Sequence, residues 1–230
     1  MGNMINYTRP DGKSVAGYLA EPAAGPSAPA IVVIQEWWGL NEQIKGVADK
    51  QAAQGYRALV PDLYRGKLGL DAEEAGHLMN ELNFGDAAGQ DVAGAVKHLK
   101  TTGSPKVGVT GFCMGGALTL LSSVFVSDMD ASVAWYGYPP LEFIDASKIK
   151  APLMAHWAIE DTVFPIDKVD ELEKKLTAAK VHYEFHRYQA KHAFANEEAD
   201  SKGLDMLKYD TVLADLGWKR TMAFFARHLH

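Results

Sequence analysis

The stretch Val107-Gly108-Val109-Thr110-Gly111-Phe112-Cys113-Met114-Gly115-Gly116-Ala117 decides how this chain folds. Its first half alternates apolar residues as a buried strand does, its last residues are small and helix-compatible, and the only cysteine stands at the junction. Gly111-x-Cys113-x-Gly115 is therefore G-x-C-x-G, the pattern of a nucleophile elbow with sulfur replacing oxygen. At such an elbow the nucleophile takes a strained backbone conformation, and the flanking glycines let strand and helix pack closely around it. The N-terminus of the following helix also favours a thiolate, because its free N–H groups point at the sulfur. A lone cysteine is often just a small buried hydrophobe; the surrounding elbow pattern singles out Cys113 as a nucleophile.

Working outward, Met4 to Thr8 and Ser14 to Ala20 flank a Pro10-Asp11-Gly12 turn and predict a hairpin at the edge of a sheet. After the Pro/Ala/Gly/Ser loop of residues 22–29, Ala30 to Ile34 is a continuous apolar run, the mark of a strand buried on both faces. Asn41 caps a helix whose Ile44, Val47, Ala48 and Ala52 share one face, and Gly55 ends it before a strand over 56–60. Residues 61–69 read as a loop. Helices follow over 72–82 and 85–100, the second burying Val92, Ala95, Val96 and Leu99, and then the elbow strand. Further strands are predicted over 131–136, 152–157 and 181–188, with helices over 165–179 and 211–229. About eight strands interleaved with helices imply an α/β fold: a mainly parallel sheet with helices on both faces and chemical groups at the carboxyl ends of its strands. Residues 1–230 read as one domain.

Composition narrows the function. A net charge of −6 with no Lys/Arg block argues against nucleic acid. The start Met1-Gly2-Asn3-Met4-Ile5-Asn6-Tyr7 has no charged segment leading into an apolar run, so neither secretion nor membrane insertion is expected. A single cysteine excludes an internal disulfide, and a cytoplasmic home that keeps the thiol reduced is expected.

An elbow nucleophile needs a base and an orienting acid, in the chain order nucleophile, acid, histidine. His156-Trp157-Ala158-Ile159-Glu160-Asp161-Thr162-Val163-Phe164-Pro165 leaves a strand and presents Asp161 before a helix. Asp161 could merely cap a turn and Glu160 competes for the role; an acid followed shortly by proline favours Asp161. Gln189-Ala190-Lys191-His192-Ala193-Phe194 follows the last strand and places His192 on a loop that can fold back over the elbow. His77 and His98 precede the nucleophile in helices, His228 and His230 end the chain, and His156 lies inside a strand, a core position. His182, Glu184 and His186 share a strand face, but no third element supplies a clear ligand, so no metal is expected.

With these residues in hand the chain resembles the dienelactone hydrolase family of α/β-hydrolases, which cleave lactones and esters with a Cys-Asp-His triad. The resemblance rests on Gln35-Glu36-Trp37-Trp38-Gly39, Pro61-Asp62-Leu63-Tyr64, Gly111-Phe112-Cys113-Met114-Gly115-Gly116, Glu160-Asp161 and His192-Ala193-Phe194-Ala195. It implies an α/β-hydrolase fold with Cys113 as nucleophile, His192 as base and Asp161 as orienting acid. It also implies that Glu36 lies beside the thiol and takes its proton when substrate arrives, and that the N–H groups of Trp37 and Met114 hold the oxyanion. Two departures bear on substrate. The family's arginine clamps for a substrate carboxylate are missing: the position four residues beyond the histidine is Asn196, and the helix after the Pro-Asp-Leu-Tyr loop holds Glu73 and Glu74 but no arginine, which leaves Arg65 and Lys67 as substitutes. The serine that often follows the histidine is Ala193.

The expected partner is a small ester or lactone, with no cofactor, no nucleic acid and no membrane, and with the protein a monomer or weak homodimer. Trp38, Tyr64, Tyr136, Phe194 and Asn196 are expected at the substrate, the aromatics pointing to an apolar or planar group. Two rivals remain. Thr110 to Gly116 resembles a glycine-rich dinucleotide turn, though it sits mid-chain rather than in the first βαβ unit. A thiol sensor or small-molecule-binding protein on the same scaffold would not hydrolyse a p-nitrophenyl ester.

Overall fold

A computed structural model describes residues 2–230. Its strands are β1 (Asn3–Thr8), β2 (Ser14–Ala20), β3 (Ala30–Ile34), β4 (Arg57–Pro61), β5 (Val107–Phe112), β6 (Ala131–Trp135), β7 (Leu153–Ala158) and β8 (Tyr183–Tyr188). They form one eight-stranded sheet in the order β1-β2-β4-β3-β5-β6-β7-β8. The β1–β2 hairpin and the β2–β4 pair are antiparallel, and every other pair is parallel. The hairpin turns where Gly12, at φ +85°, donates its N–H to the Arg9 carbonyl. The α/β sheet and its eight strands agree with the reading of the sequence; boundaries shift by a residue or two.

The central strands β3, β4, β5, β6 and β7 are buried along their whole length, as a parallel sheet covered on both faces requires. Alternate residues of β3 serve different faces. Ile31 and Val33 pack with α1 (Glu42–Ala53) and the closing helix 211–229, whereas Ala30, Val32 and Ile34 pack with the helices that precede and follow β5. The Asn41 side chain caps α1 by accepting the Ile44 N–H at 3.1 Å. Ala52, half buried, packs on the same core cluster as Ile44, Val47 and Ala48, and Gln51 is buried as well.

After β4 come α2 (Ala72–Glu81) and a helical run over 84–101 that is not uniform. It comprises α3 (Phe84–Asp86), a π-helical stretch (Ala87–Val92) and α4 (Ala93–Thr101). The widened stretch turns Asp91 inward, where its carboxylate meets Arg9 at 3.2 Å and both Arg65 contacts, at 2.9 and 3.0 Å, while its carbonyl accepts the Tyr7 hydroxyl. Helical periodicity cannot reveal this, because the partners of Asp91 lie at the end of β1 and after β4.

The elbow helix α5 (Met114–Phe125) and α6 (Ile166–Ala178) cover the second half of the sheet, with Val169, Leu172 and Leu176 of α6 buried beside Ala155 and Trp157. The long α7 (Thr211–Leu229) closes the other face. Between β8 and α7, residues 189–210 are tied down without forming a long element: the Lys208 N–H reaches the His192 carbonyl and the Asp210 N–H the Phe194 carbonyl, each at 3.0 Å. Among the described residues no helix is long and apolar enough to cross a membrane.

Candidate active site

Cys113 follows β5 at φ 55° and ψ −117°, immediately before the first residue of α5. This positive-φ conformation costs of the order of 1–3 kcal/mol in a non-glycine residue and must be imposed by the surroundings. The restraints are visible. The Cys113 N–H donates to the Trp135 carbonyl at 3.0 Å, and its own carbonyl accepts from Gly116 at 2.9 Å and Ala117 at 3.1 Å. A side chain on Gly111 would collide with the Gly115 carbonyl, and one on Gly137 with the Cys113 carbonyl itself. The elbow is thus gripped between α5 and the ends of β3, β5 and β6. Met114 opens α5, so its N–H has no helical acceptor and faces the elbow end of the helix.

Asp161 sits in the turn after β7 and does two jobs with two oxygens. Its Oδ1 accepts the N–H groups of Val163 at 2.8 Å and Phe164 at 2.9 Å, and its Oδ2 accepts from His192 Nδ1 at 2.7 Å. Turn cap and partner of His192, alternatives in the sequence, are combined in one residue. Glu160 faces outward to Gln189 instead. His192 is 2 % exposed, and Ala193 after it takes φ 60°. Burial alone would drive the imidazolium toward losing its proton, but the neighbouring Cys113 sulfur and Asp161 carboxylate outweigh it and push the His192 pKa up to about 10.

Glu36 leaves β3 and is 5 % exposed. Its Oε2 accepts from Asn196 Nδ2 at 2.6 Å and its Oε1 from the Tyr136 hydroxyl at 3.4 Å. The Asn196 amide is oriented from behind, since its Oδ1 accepts the Glu198 N–H at 2.9 Å and leaves only Nδ2 for the carboxylate. Burial raises the Glu36 pKa above the usual carboxylate range, and the His192 charge, Asn196 and Tyr136 oppose this. Tyr136, at φ 37°, turns its ring edge-on to His192 at a centroid distance of 5.2 Å.

Not every expected substrate contact stands at an open surface. Phe194 is completely enclosed by Trp135, Tyr136 and Tyr188, so it props the His192 loop from beneath. Asn196, placed by sequence where a carboxylate clamp would be, is committed to Glu36. Tyr64 is buried with its hydroxyl 3.3 Å from Met114 Sδ, under the elbow helix. Trp38 is buried beneath the half-exposed Trp37, at a centroid distance of 4.9 Å. Arg65 does not turn toward the elbow: its guanidinium is held by Asp91 and the Asp62 carbonyl. The cation that does approach is Lys202, which sequence reasoning passed over; its ammonium lies 4.8 Å from the Trp38 ring centroid and is paired with Glu198 at 3.1 Å.

The model of the dienelactone hydrolase family matches residues 15–229. The chain belongs to the dienelactone hydrolase family. Protein usf of Aquifex pyrophilus is 36 % identical with both chains covered in full, and the "Putative carboxymethylenebutenolidase" of Aquifex aeolicus is 33 % identical, again over the whole of both chains. Among solved structures, a dienelactone hydrolase-like promiscuous phosphotriesterase, P91, from metagenomic libraries has the same fold at TM-score 0.87 and 22 % identity, covering 100 % of this chain and 99 % of its own. As a dienelactone hydrolase-family member the chain is an ester or lactone hydrolase.

Within this family setting, the sequence alone placed Cys113, Asp161 and His192 just beyond strands, where the structure has them. It did not show what holds Glu36, because Asn196 and Glu36 lie 160 residues apart. The two carboxylates of the Glu160-Asp161 pair should separate cleanly by substitution. Asp161→Asn removes the group that orients His192 and stabilises its cation, and should lower kcat by roughly 10²–10⁴-fold. Glu160→Gln, on an exposed side chain, should leave kcat within about twofold; steady-state kinetics on an aryl ester reads both, and the reverse pattern would transfer the orienting role to Glu160.

Proposed function

We propose that this protein hydrolyses small neutral esters or lactones through a Cys113-His192-Asp161 triad and a thiol acyl-enzyme intermediate. The observation that carries the reading is the strained Cys113 at the start of α5 together with a buried His192 held 2.7 Å from Asp161. His192 takes the thiol proton as Cys113 attacks, and the Asp161 carboxylate supports the resulting cation. The thiolate attacks the carbonyl carbon; the developing oxyanion is received by the N–H groups of Trp37 and Met114, each such donor being worth about a hundredfold in rate or more. His192 then gives its proton to the leaving alcohol and removes one from the water that releases the acid.

Glu36 is a second proton acceptor beside the thiol. Its raised pKa means that it accepts a proton more readily than an exposed carboxylate, while Asn196 and Tyr136 keep it in place. As pH rises through about 10, His192 loses the proton it would pass to the leaving alcohol, so activity is lost on the alkaline side. Replacing Cys113 by Ala should abolish p-nitrophenyl ester turnover while leaving the circular dichroism spectrum unchanged. Iodoacetamide should inactivate the wild type, with substrate protecting. A Cys113→Ala protein retaining most of its turnover would refute the nucleophile assignment.

The charges around the site favour a neutral substrate. Asn196 is neutral and occupied, Arg65 is held by Asp91, and Lys202 is already compensated by Glu198. A bound carboxylate therefore lacks the charge-assisted hydrogen bond that would be worth about 1.5–3 kcal/mol, or roughly tenfold to a hundredfold in binding. Neutral lactones or aryl esters should show higher kcat/KM than matched carboxylate-bearing analogues, in steady-state kinetics on the wild type. A wild type that prefers the carboxylate by tenfold or so would assign a clamp to Lys202 or another cation.

A further inference from the structure

His156 is a fully buried histidine on β7 that the hydrolytic chemistry does not use. Its ring lies against Trp135 at a centroid distance of 4.0 Å and is stacked on His186 at 5.6 Å. Both nitrogens are engaged: Nδ1 is 2.7 Å from the Tyr188 hydroxyl and Nε2 is 2.8 Å from Thr221 Oγ1. Arg220 supplies the direction of the chain. A guanidinium only donates, and its Nη1 lies 3.1 Å from the same Tyr188 oxygen, so that oxygen accepts from Arg220 and turns its own proton onto His156 Nδ1. The proton of His156 is then on Nε2, which donates to Thr221. Burial, with the positive charges of His186 and Arg220 nearby, holds the His156 pKa well below its ordinary value, so the ring stays neutral.

Tyr188 is where the two catalytic loops meet. It ends β8 opposite Ala158, the last residue of β7. Its carbonyl accepts the N–H groups of Ile159 and Ala190, both at 2.9 Å, one on the way to Asp161 and the other on the way to His192. Its ring lies 4.9 Å from that of Phe194, beyond His192. His156 also reaches the remaining parts of the site: its carbonyl accepts the Tyr136 N–H at 2.8 Å, and its ring packs on Trp135, whose carbonyl holds the Cys113 N–H.

We propose that His156 and Tyr188 are positioning residues for hydrolysis, and that the directional chain Arg220 to Tyr188 to His156 sets the spacing between Asp161 and His192 across the ends of β7 and β8. The inference rests on the triad reading. A displacement of the Tyr188 backbone shifts both loops at once, and the rate penalty follows from misaligning an acid–base pair whose members sit at hydrogen-bond distance. A histidine that merely satisfied its own polar atoms in the core would affect stability and leave the chemistry of His192 untouched.

Tyr188→Phe removes one hydroxyl and keeps the ring against Phe194. In this variant kcat should fall about tenfold with KM within about twofold, and the alkaline limb of the pH–rate profile should move to lower pH as the support of Asp161 for the His192 cation weakens. The titratable groups facing His192 are Asp161, Cys113, Glu36 and Tyr136, and all four are unchanged by the substitution. A folded Tyr188→Phe protein with the wild-type kcat and alkaline limb would overturn the proposal. Histidine ¹⁵N NMR of the wild type tests the chain without any variant: His156 should show a bare Nδ1 and a protonated Nε2 at every pH at which the exposed histidines titrate. The opposite tautomer, or a His156 that titrates with them, would also overturn it. Failure of the triad reading itself is distinguishable, because it would show as retained turnover in Cys113→Ala and leaves the NMR assignment of His156 unaffected.

Discussion

The backbone of Cys113 is the constraint on which the site depends. A residue at φ 55° and ψ −117° holds that conformation only because the alternatives are blocked, and the blocking atoms come from three neighbouring elements. The Trp135 carbonyl at the end of β6 takes its N–H, the first turn of α5 takes its carbonyl, and β3 presses against Gly115, where a side chain would run into the Ile34 and Gln35 carbonyls. Small residues are required wherever these backbones meet. The stability lost in the strained residue is offset by the packing of the central strands, and the result is a sulfur that projects from the carboxyl edge of the sheet at a helix N-terminus.

Around that point the chemistry is assembled from strand ends. β3 delivers Glu36 and the Trp37 N–H, β6 delivers Tyr136, β7 delivers Asp161, and β8 leads into His192. The parallel register brings these ends to one side, so residues scattered over the chain become neighbours without any long loop having to find its place. The burial of the acidic and basic groups then sets their proton affinities. His192 is raised by its anionic neighbours against the pull of burial, whereas Glu36, with only neutral donors in hydrogen-bond contact, is raised by burial. Charges of opposite sign are thus made readier to carry a proton by different causes.

Local patterns were legible in the sequence and long-range pairings were not. Cys113, Asp161 and His192 each carry a short-range signature, being residues of a given type just beyond a strand, and the elbow adds its glycines. The eight strands were readable because buried parallel strands are apolar throughout. Nothing local announces that Asn196 holds Glu36, that the helix over 84–101 widens to let Asp91 meet Arg9 and Arg65, or that His156 links β7 to Tyr188 and α7. In each case the deciding partner is remote in sequence and the polar residue looks like an ordinary member of a helix, strand or loop. An aromatic beside a loop histidine packs inward or outward according to what lies beneath it, and Phe194 packs inward on Tyr136 and Tyr188.

The central claim is that Cys113 Sγ forms a covalent bond to the acyl group. Rapid quenching of turnover on a slow aryl ester, followed by digestion and mass spectrometry, measures this directly. The account predicts an added acyl mass on the peptide containing Cys113, appearing within the burst of alcohol release and disappearing as the acid forms. An adduct on another residue, or a burst with the Cys113 peptide unmodified, would contradict it.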